Sequence, residues 1–166
     1  MAKRIATCAA LVALAMIFSY VEAILPVHFG VPGVKLGLAN LVVVSGLYLL
    51  RPGDVFLISL SRILLSALLF GSGLSLLYSL AGGILSYLVM LLLKRRRGFS
   101  AVGLSIAGGV AHNIGQIAAA AWAAGSTAVF YYLPVLVVAG VFTGMLMGLL
   151  AMRVLRVLAG KTFSPP

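Results

Sequence analysis

Arg62 stands in the middle of an apolar run, about eight residues from either end, and an ionisable group at that depth needs a cavity, a counter-charge or a ligand. Ser59, Arg62 and Ser66 recur at i, i+3 and i+7, which places them on one helical face. A later run carries His112, Asn113 and Gln116, with His112 and Gln116 one turn apart and Gly108, Gly115 and Ala119 leaving room beside them. Ser19 and Glu22 close the first run, Lys35 and Asn40 open the second, and Ser75, Tyr78 and Ser79 open the fourth. These residue types bind rather than react. Arg62 and Lys35 offer positive charge to an anionic group, while Asn40, His112 and Gln116 hydrogen-bond the rest of a ligand.

Catalysis finds few parts here. The acidic residues number two, Glu22 and Asp54, so several aspartates around a Mg²⁺-diphosphate cannot be assembled. No paired carboxylates, P-loop, Asp-rich motif or HExxH is present, and ATP hydrolysis has no site. Cys8, the single cysteine, excludes an intramolecular disulfide and a thiolate metal site and reads as a small buried side chain. The expectation is a non-enzymatic chain with no cofactor and no metal.

The elements that must hold these residues are membrane helices. Of 166 residues 63% are hydrophobic and 8% charged, and the mean hydropathy is +1.23. That composition calls for lipid as solvent. A span needs about 20 apolar residues at ~1.5 Å each. Runs at 5–25, 35–50, 54–70, 73–93, 101–124 and 128–152 predict an all-α bundle of six spans forming one transmembrane domain over 1–166. The second and third are short, and a re-entrant pair is the alternative. The first is too long for the apolar core of a signal peptide and is expected to be a retained helix. The net charge of +10 does not indicate nucleic acid, because the basic residues punctuate the apolar runs instead of forming a stripe among aromatics.

Orientation follows from charge. With the N-terminus inside, Lys3, Arg4, Arg51, Lys94, Arg95, Arg96, Arg97, Arg153, Arg156 and Lys161 are cytoplasmic and only Lys35 is external. This bias predicts a multi-pass cell-membrane protein with both termini cytoplasmic. Glu22, Lys35, Asn40, Arg62, Ser75, Ser79, His112 and Gln116 then all fall between mid-membrane and the external face, which predicts a pocket open to the outside. Competing roles exist for each group. Arg62 can pair with Glu22 to lock the bundle. His112, Asn40 and Gln116 can serve as interhelical glue. Gly140, Gly144 and Gly148, and Ala6, Ala10 and Ala13 on the first helix, form small-residue rows suited either to internal contacts or to docking another membrane subunit.

Two stretches carry a family likeness: Pro32-Gly33-Val34-Lys35-Leu36-Gly37-Leu38-Ala39-Asn40 and Gly109-Val110-Ala111-His112-Asn113-Ile114-Gly115-Gln116. With the Arg-Pro-Gly-Asp connector and Arg62, the chain resembles the Gx transporter family, also labelled heptaprenyl diphosphate synthase component I. The six-helix layout is in turn similar to the substrate-binding S components of energy-coupling factor transporters. The resemblance implies a micronutrient binder working with a membrane T subunit and two ATPase subunits. It also implies a helix-1 docking motif, which maps onto Ala6, Ala10 and Ala13. The synthase label implies, at most, an accessory of isoprenoid or quinone metabolism, since the Asp-rich motifs of prenyl diphosphate synthases are missing. A self-contained secondary transporter is the third class, opposed by the lack of acidic coupling groups in the inner half.

Overall fold

The computed structural model describes residues 1–24, 36–96, 98–158 and 160. Among them lie six α-helices: α1 (Ala2–Ile24), α2 (Leu38–Leu49), α3 (Pro52–Phe70), α4 (Gly73–Arg95), α5 (Ala101–Ala124) and α6 (Leu133–Leu158). A 3₁₀ segment, Thr127–Tyr132, precedes α6. No strand occurs among the described residues. Lys35, Arg97, Lys161 and the segment 25–34 lie outside them.

Local chemistry explains where the boundaries depart from expectation. α3 begins at Pro52 rather than 54, because proline in the first turn has no N–H to leave unsatisfied and its φ already suits a helix. The second helix, expected over 35–50, begins only at Leu38, after Gly37 adopts a left-handed φ of 77° that no helical residue shares. The sixth, expected over 128–152, begins at Leu133 and runs to Leu158. Pro134 cannot donate to the carbonyl four residues back, so the chain ahead of it forms a 3₁₀ turn capped by the Ser126 hydroxyl.

Four segments are long and apolar enough to cross a membrane: Ala2–Ile24, Pro52–Phe70, Gly73–Arg95 and Thr127–Leu158. The six-span expectation is therefore supported for four. α2, with 12 residues, rises only about 18 Å at ~1.5 Å per residue against a hydrocarbon core of about 30 Å. α5 has the length, at 24 residues, but its glycines and His112, Asn113 and Gln116 dilute its apolar character. Leu57, Leu68, Leu69, Leu92, Phe142 and Leu146 are all exposed on the outer surface. A surface of that kind belongs in lipid, and the chain is a helical membrane protein.

The helices close a ring in the order α1–α2–α6–α5–α4–α3, and α2 also touches α3, α4 and α5. α2 is accordingly the most enclosed element, with Val42, Val43, Val44, Ser45, Gly46 and Leu47 all buried. Glycines bring α4, α5 and α6 into backbone contact. A Cβ on Gly115 would lie 2.8 Å from Gly82 Cα, one on Gly144 2.7 Å from Ile106 Cα, and one on Gly148 2.6 Å from Val102 Cα. The Gly140–Gly144–Gly148 row is thus spent on α5, inside the chain.

One end of the ring is filled. Val43, Val44, Leu47, Val55, Tyr87, Met90, Ala101, Leu104 and Ala151 form an apolar plug there. Tyr87 Oη donates to the Pro52 carbonyl at 2.6 Å, and Lys94 Nζ sits 5.2 Å from the Tyr48 ring centroid. Arg4 makes a two-pronged contact with Asp54, Nε to Oδ2 at 2.8 Å and Nη2 to Oδ1, tying the start of α1 to the start of α3. Lys3, Arg51, Arg95, Arg153 and Arg156 belong to the same end by chain direction.

A candidate ligand chamber around Arg62

The other half of the ring is hollow. Each helix sends polar groups into it: Glu22 from α1, Asn40 from α2, Ser59 and Arg62 from α3, Ser79 and Ser86 from α4, His112, Asn113 and Gln116 from α5, and Thr143 from α6. The chamber holds about 80 Å³ of water-accessible space. A second cavity of about 490 Å³ lies between α1, α3 and α4, reaching Phe70, Gly71 and Ser72 at the α3–α4 turn. Glu22, Arg62 and Ser79 border both cavities and so form the partition between them.

Arg62 Nη1 donates to Ser19 Oγ at 3.3 Å, and its Nε is buried with no hydrogen-bond partner among the described residues. Glu22 forms no ion pair with it within 4.0 Å. Among the described residues the only ion pair within 4.0 Å joins Arg4 and Asp54. Glu22 instead accepts the N–H of Gly37 on Oε1 at 2.5 Å. A carboxylate at the N-terminus of α2 is favoured by the helix dipole, and this contact fixes the left-handed residue that starts the helix. Glu22 thereby serves the fold while facing the chamber.

Six of the eight residues expected to bind ligand come together here: Glu22, Asn40, Arg62, Ser79, His112 and Gln116. Ser75 does not reach the chamber. It lines only the second cavity, and its hydroxyl is engaged in a reciprocal cap with Ser72, accepting the Ser72 N–H at 3.0 Å. Lys35 lies outside the described residues. His112 and Gln116 are held in place by close contact with α4, where a Cβ on Gly82 would fall 2.9 Å from His112 Nδ1 and 2.8 Å from Gln116 Cγ. No side chain larger than hydrogen fits between them.

The sequence reading left out Ser86, Asn113 and Thr143 as site residues. Ser79, Gly83, Ser86 and Met90 all line the chamber and recur at i, i+4, i+7 and i+11, so the helical period that linked Ser59 to Arg62 pointed to Ser86 as well. Thr143 is the single uncharged polar side chain of α6, and its hydroxyl bonds the Ala139 carbonyl at 2.9 Å. Asn113 Nδ2 donates to the buried Leu136 carbonyl at 2.6 Å, so it joins α5 to α6 as well as lining the space. No Phe, Tyr or Trp among the described residues lines the chamber. Among the described residues no group of three His, Cys, Asp or Glu could hold a metal.

Ala6, Ala10 and Ala13 are exposed, on the α1 face that also carries exposed Ile17, Tyr20 and Ile24. The opposite face buries Ala15 and Ser19. The alanine row is therefore left uncovered within this chain, whereas the glycine row of α6 is not.

No curated protein and no solved structure matches the chain. A family model does, over residues 11–154, a stretch that contains every described residue bordering the chamber. The chain belongs to the family described as heptaprenyl diphosphate synthase component I.

Proposed function

We propose that this family member is the substrate-binding membrane subunit of an energy-coupling factor type uptake transporter, taking a small ligand from outside the cell. The observation that carries this reading is the chamber itself: polar groups from six helices surround a buried guanidinium nitrogen that has no partner among the described residues, while the far end of the ring is plugged. A plugged, hollow bundle holds a ligand; it does not conduct one. The basic residues gather at the plugged end, so the positive-inside rule puts both termini in the cytoplasm and the chamber toward the outside. Release across the membrane then needs work from partners, a membrane T subunit and ATPase subunits, because this chain carries no nucleotide motif. The uncovered Ala6, Ala10 and Ala13 face of α1 is the surface offered to the T subunit.

The family description favours one other reading, a non-catalytic membrane accessory of a prenyl-transferring enzyme. With Glu22 and Asp54 as its only acidic residues, the chain would leave the diphosphate chemistry to that enzyme. Affinity purification from native membranes separates the two. Uptake predicts a co-eluting T subunit and ATPase pair, lost when Ala6 and Ala10 are both changed to Leu while the fold persists. Elution with a prenyltransferase, or unchanged co-elution from the double variant, counts against it. Sidedness has its own check: in a Cys8→Ser background, Gly98→Cys stays unlabelled by an impermeant thiol reagent on intact cells, and labelling there reverses the topology.

A further inference from the structure

We propose that the chamber takes a small, non-aromatic zwitterion, its carboxylate held by Arg62 and its ammonium group by Glu22. The inference rests on reading the chamber as a capture site and adds the chemical class of what is captured.

Two opposite formal charges face the chamber from its described lining, Arg62 and Glu22, and they do not pair with each other. Arg62 instead reaches a neutral hydroxyl at 3.3 Å, long for a hydrogen bond, and leaves Nε buried without an acceptor among the described residues. Glu22 accepts the Gly37 N–H on one of its two oxygens. A carboxylate has room for about four acceptor contacts, so that one bond leaves it capacity for a ligand donor. Charges held apart inside a membrane bundle are each expensive until something compensates them. An anion would compensate Arg62 and be repelled by Glu22. A cation would do the reverse, and a neutral molecule would serve neither. A ligand carrying both charges satisfies both at once and leaves the chamber neutral.

Size and lining narrow the class. About 80 Å³ of accessible space is well below the roughly 150 Å³ of a cavity that admits benzene. The part of the ligand inside the chamber is therefore a handful of heavy atoms, and any further bulk would extend past Glu22, Arg62 and Ser79 into the second cavity of about 490 Å³. With no Phe, Tyr or Trp among the described lining residues, those residues offer a flat heteroaromatic ring no stacking face and a quaternary ammonium no aromatic cage. The nitrogen end is better served by N–H donors, which Glu22, Asn40 and Ser79 can accept.

The test uses the full chain in lipid nanodiscs and a ladder of ω-amino acids from glycine to 6-aminohexanoate. Each is paired with the unbranched carboxylate and the unbranched amine of the same carbon count. At least one amino acid should raise the thermal midpoint by about 5 °C or more at hundredfold excess over its Kd. Its matched carboxylate and amine should produce less than a fifth of that shift. Glu22→Gln keeps an oxygen for the Gly37 N–H and removes the charge, so amino acid and carboxylate should become equivalent. Arg62→Met should abolish both shifts. If carboxylates stabilise the wild type as well as amino acids do and Arg62→Met removes the effect, the chamber captures anions: the zwitterion is overturned and capture stands. If no member of the ladder shifts the wild type, or the shift survives in both variants, the zwitterion is likewise overturned; whether the chamber captures anything is then decided by the mass of a co-purified ligand.

Discussion

The α4–α5–α6 half of the ring and the α1–α3 half are held together by different chemistry. In the first, glycines at 82, 109, 115, 140, 144 and 148 let backbones touch, and no atom can be added at the joints without displacing a neighbour. In the second, α1 buries only Ala15 and Ser19. Ala15 packs with Val42 and Ile58 in a small apolar cluster. Side-chain contacts supply the further links to α3: Tyr20 to Phe70, Arg4 to Asp54, Arg62 to Ser19, and the Ser66 hydroxyl to Met16 Sδ at 3.4 Å. Backbone joints have one solution, whereas side-chain links can be broken and remade. The chamber lies where the two halves meet: His112, Gln116 and Ser86 come from the tight half, and Arg62 and Glu22 from the loose one. The fixed half supplies shape and the adjustable half supplies charge.

The contrast is most easily broken at a glycine joint. Gly144→Leu forces side-chain atoms into the α5 backbone and should lower stability by about 3 kcal/mol or more, at or beyond the upper end of overpacking effects. Ala10→Leu, on the exposed face of α1, should stay within about 0.5 kcal/mol. Equal midpoints for the two variants in thermal unfolding would erase the distinction between the halves. Next in size is Arg4→Gln, which removes the charged clasp on Asp54. It should speed amide exchange in α1 while leaving α5 unchanged, and faster exchange spread evenly over both helices would contradict a separable α1. The smallest effect is expected from Ser75→Ala. Losing its half of the reciprocal cap with Ser72 should cost about 0.5–1 kcal/mol and leave ligand binding intact, since Ser75 lies outside the chamber. Weaker binding at unchanged stability would restore Ser75 to the site.

Much of this arrangement is legible in the sequence because membrane helices announce themselves by length and apolarity. The depth of Arg62, the one-turn pairing of His112 with Gln116, and the position of Glu22 and Ser79 near their helix ends are enough to collect five of the ten described polar residues of the chamber wall. Pairing is harder to read than depth. Glu22 is the one acidic residue expected on the same side of the bundle as Arg62, yet it is drawn to the start of α2 by a backbone N–H, and nothing in residue spacing reveals that Gly37 turns left-handed there. The clasp between Arg4 and Asp54 joins residues fifty positions apart, beyond the reach of helical periodicity. Small-residue rows are ambiguous for the same reason: Gly144 and Ala10 look alike in sequence, and only the neighbouring helix distinguishes a joint from an open face.

Native mass spectrometry of the purified chain tests the central claim most directly. Wild-type protein should carry one tightly held, non-aromatic small molecule, and Arg62→Met of unchanged helicity and midpoint should carry none. A wild type that is free of ligand under conditions that preserve bound lipid, or an Arg62→Met variant that retains the same added mass, would contradict ligand capture at Arg62.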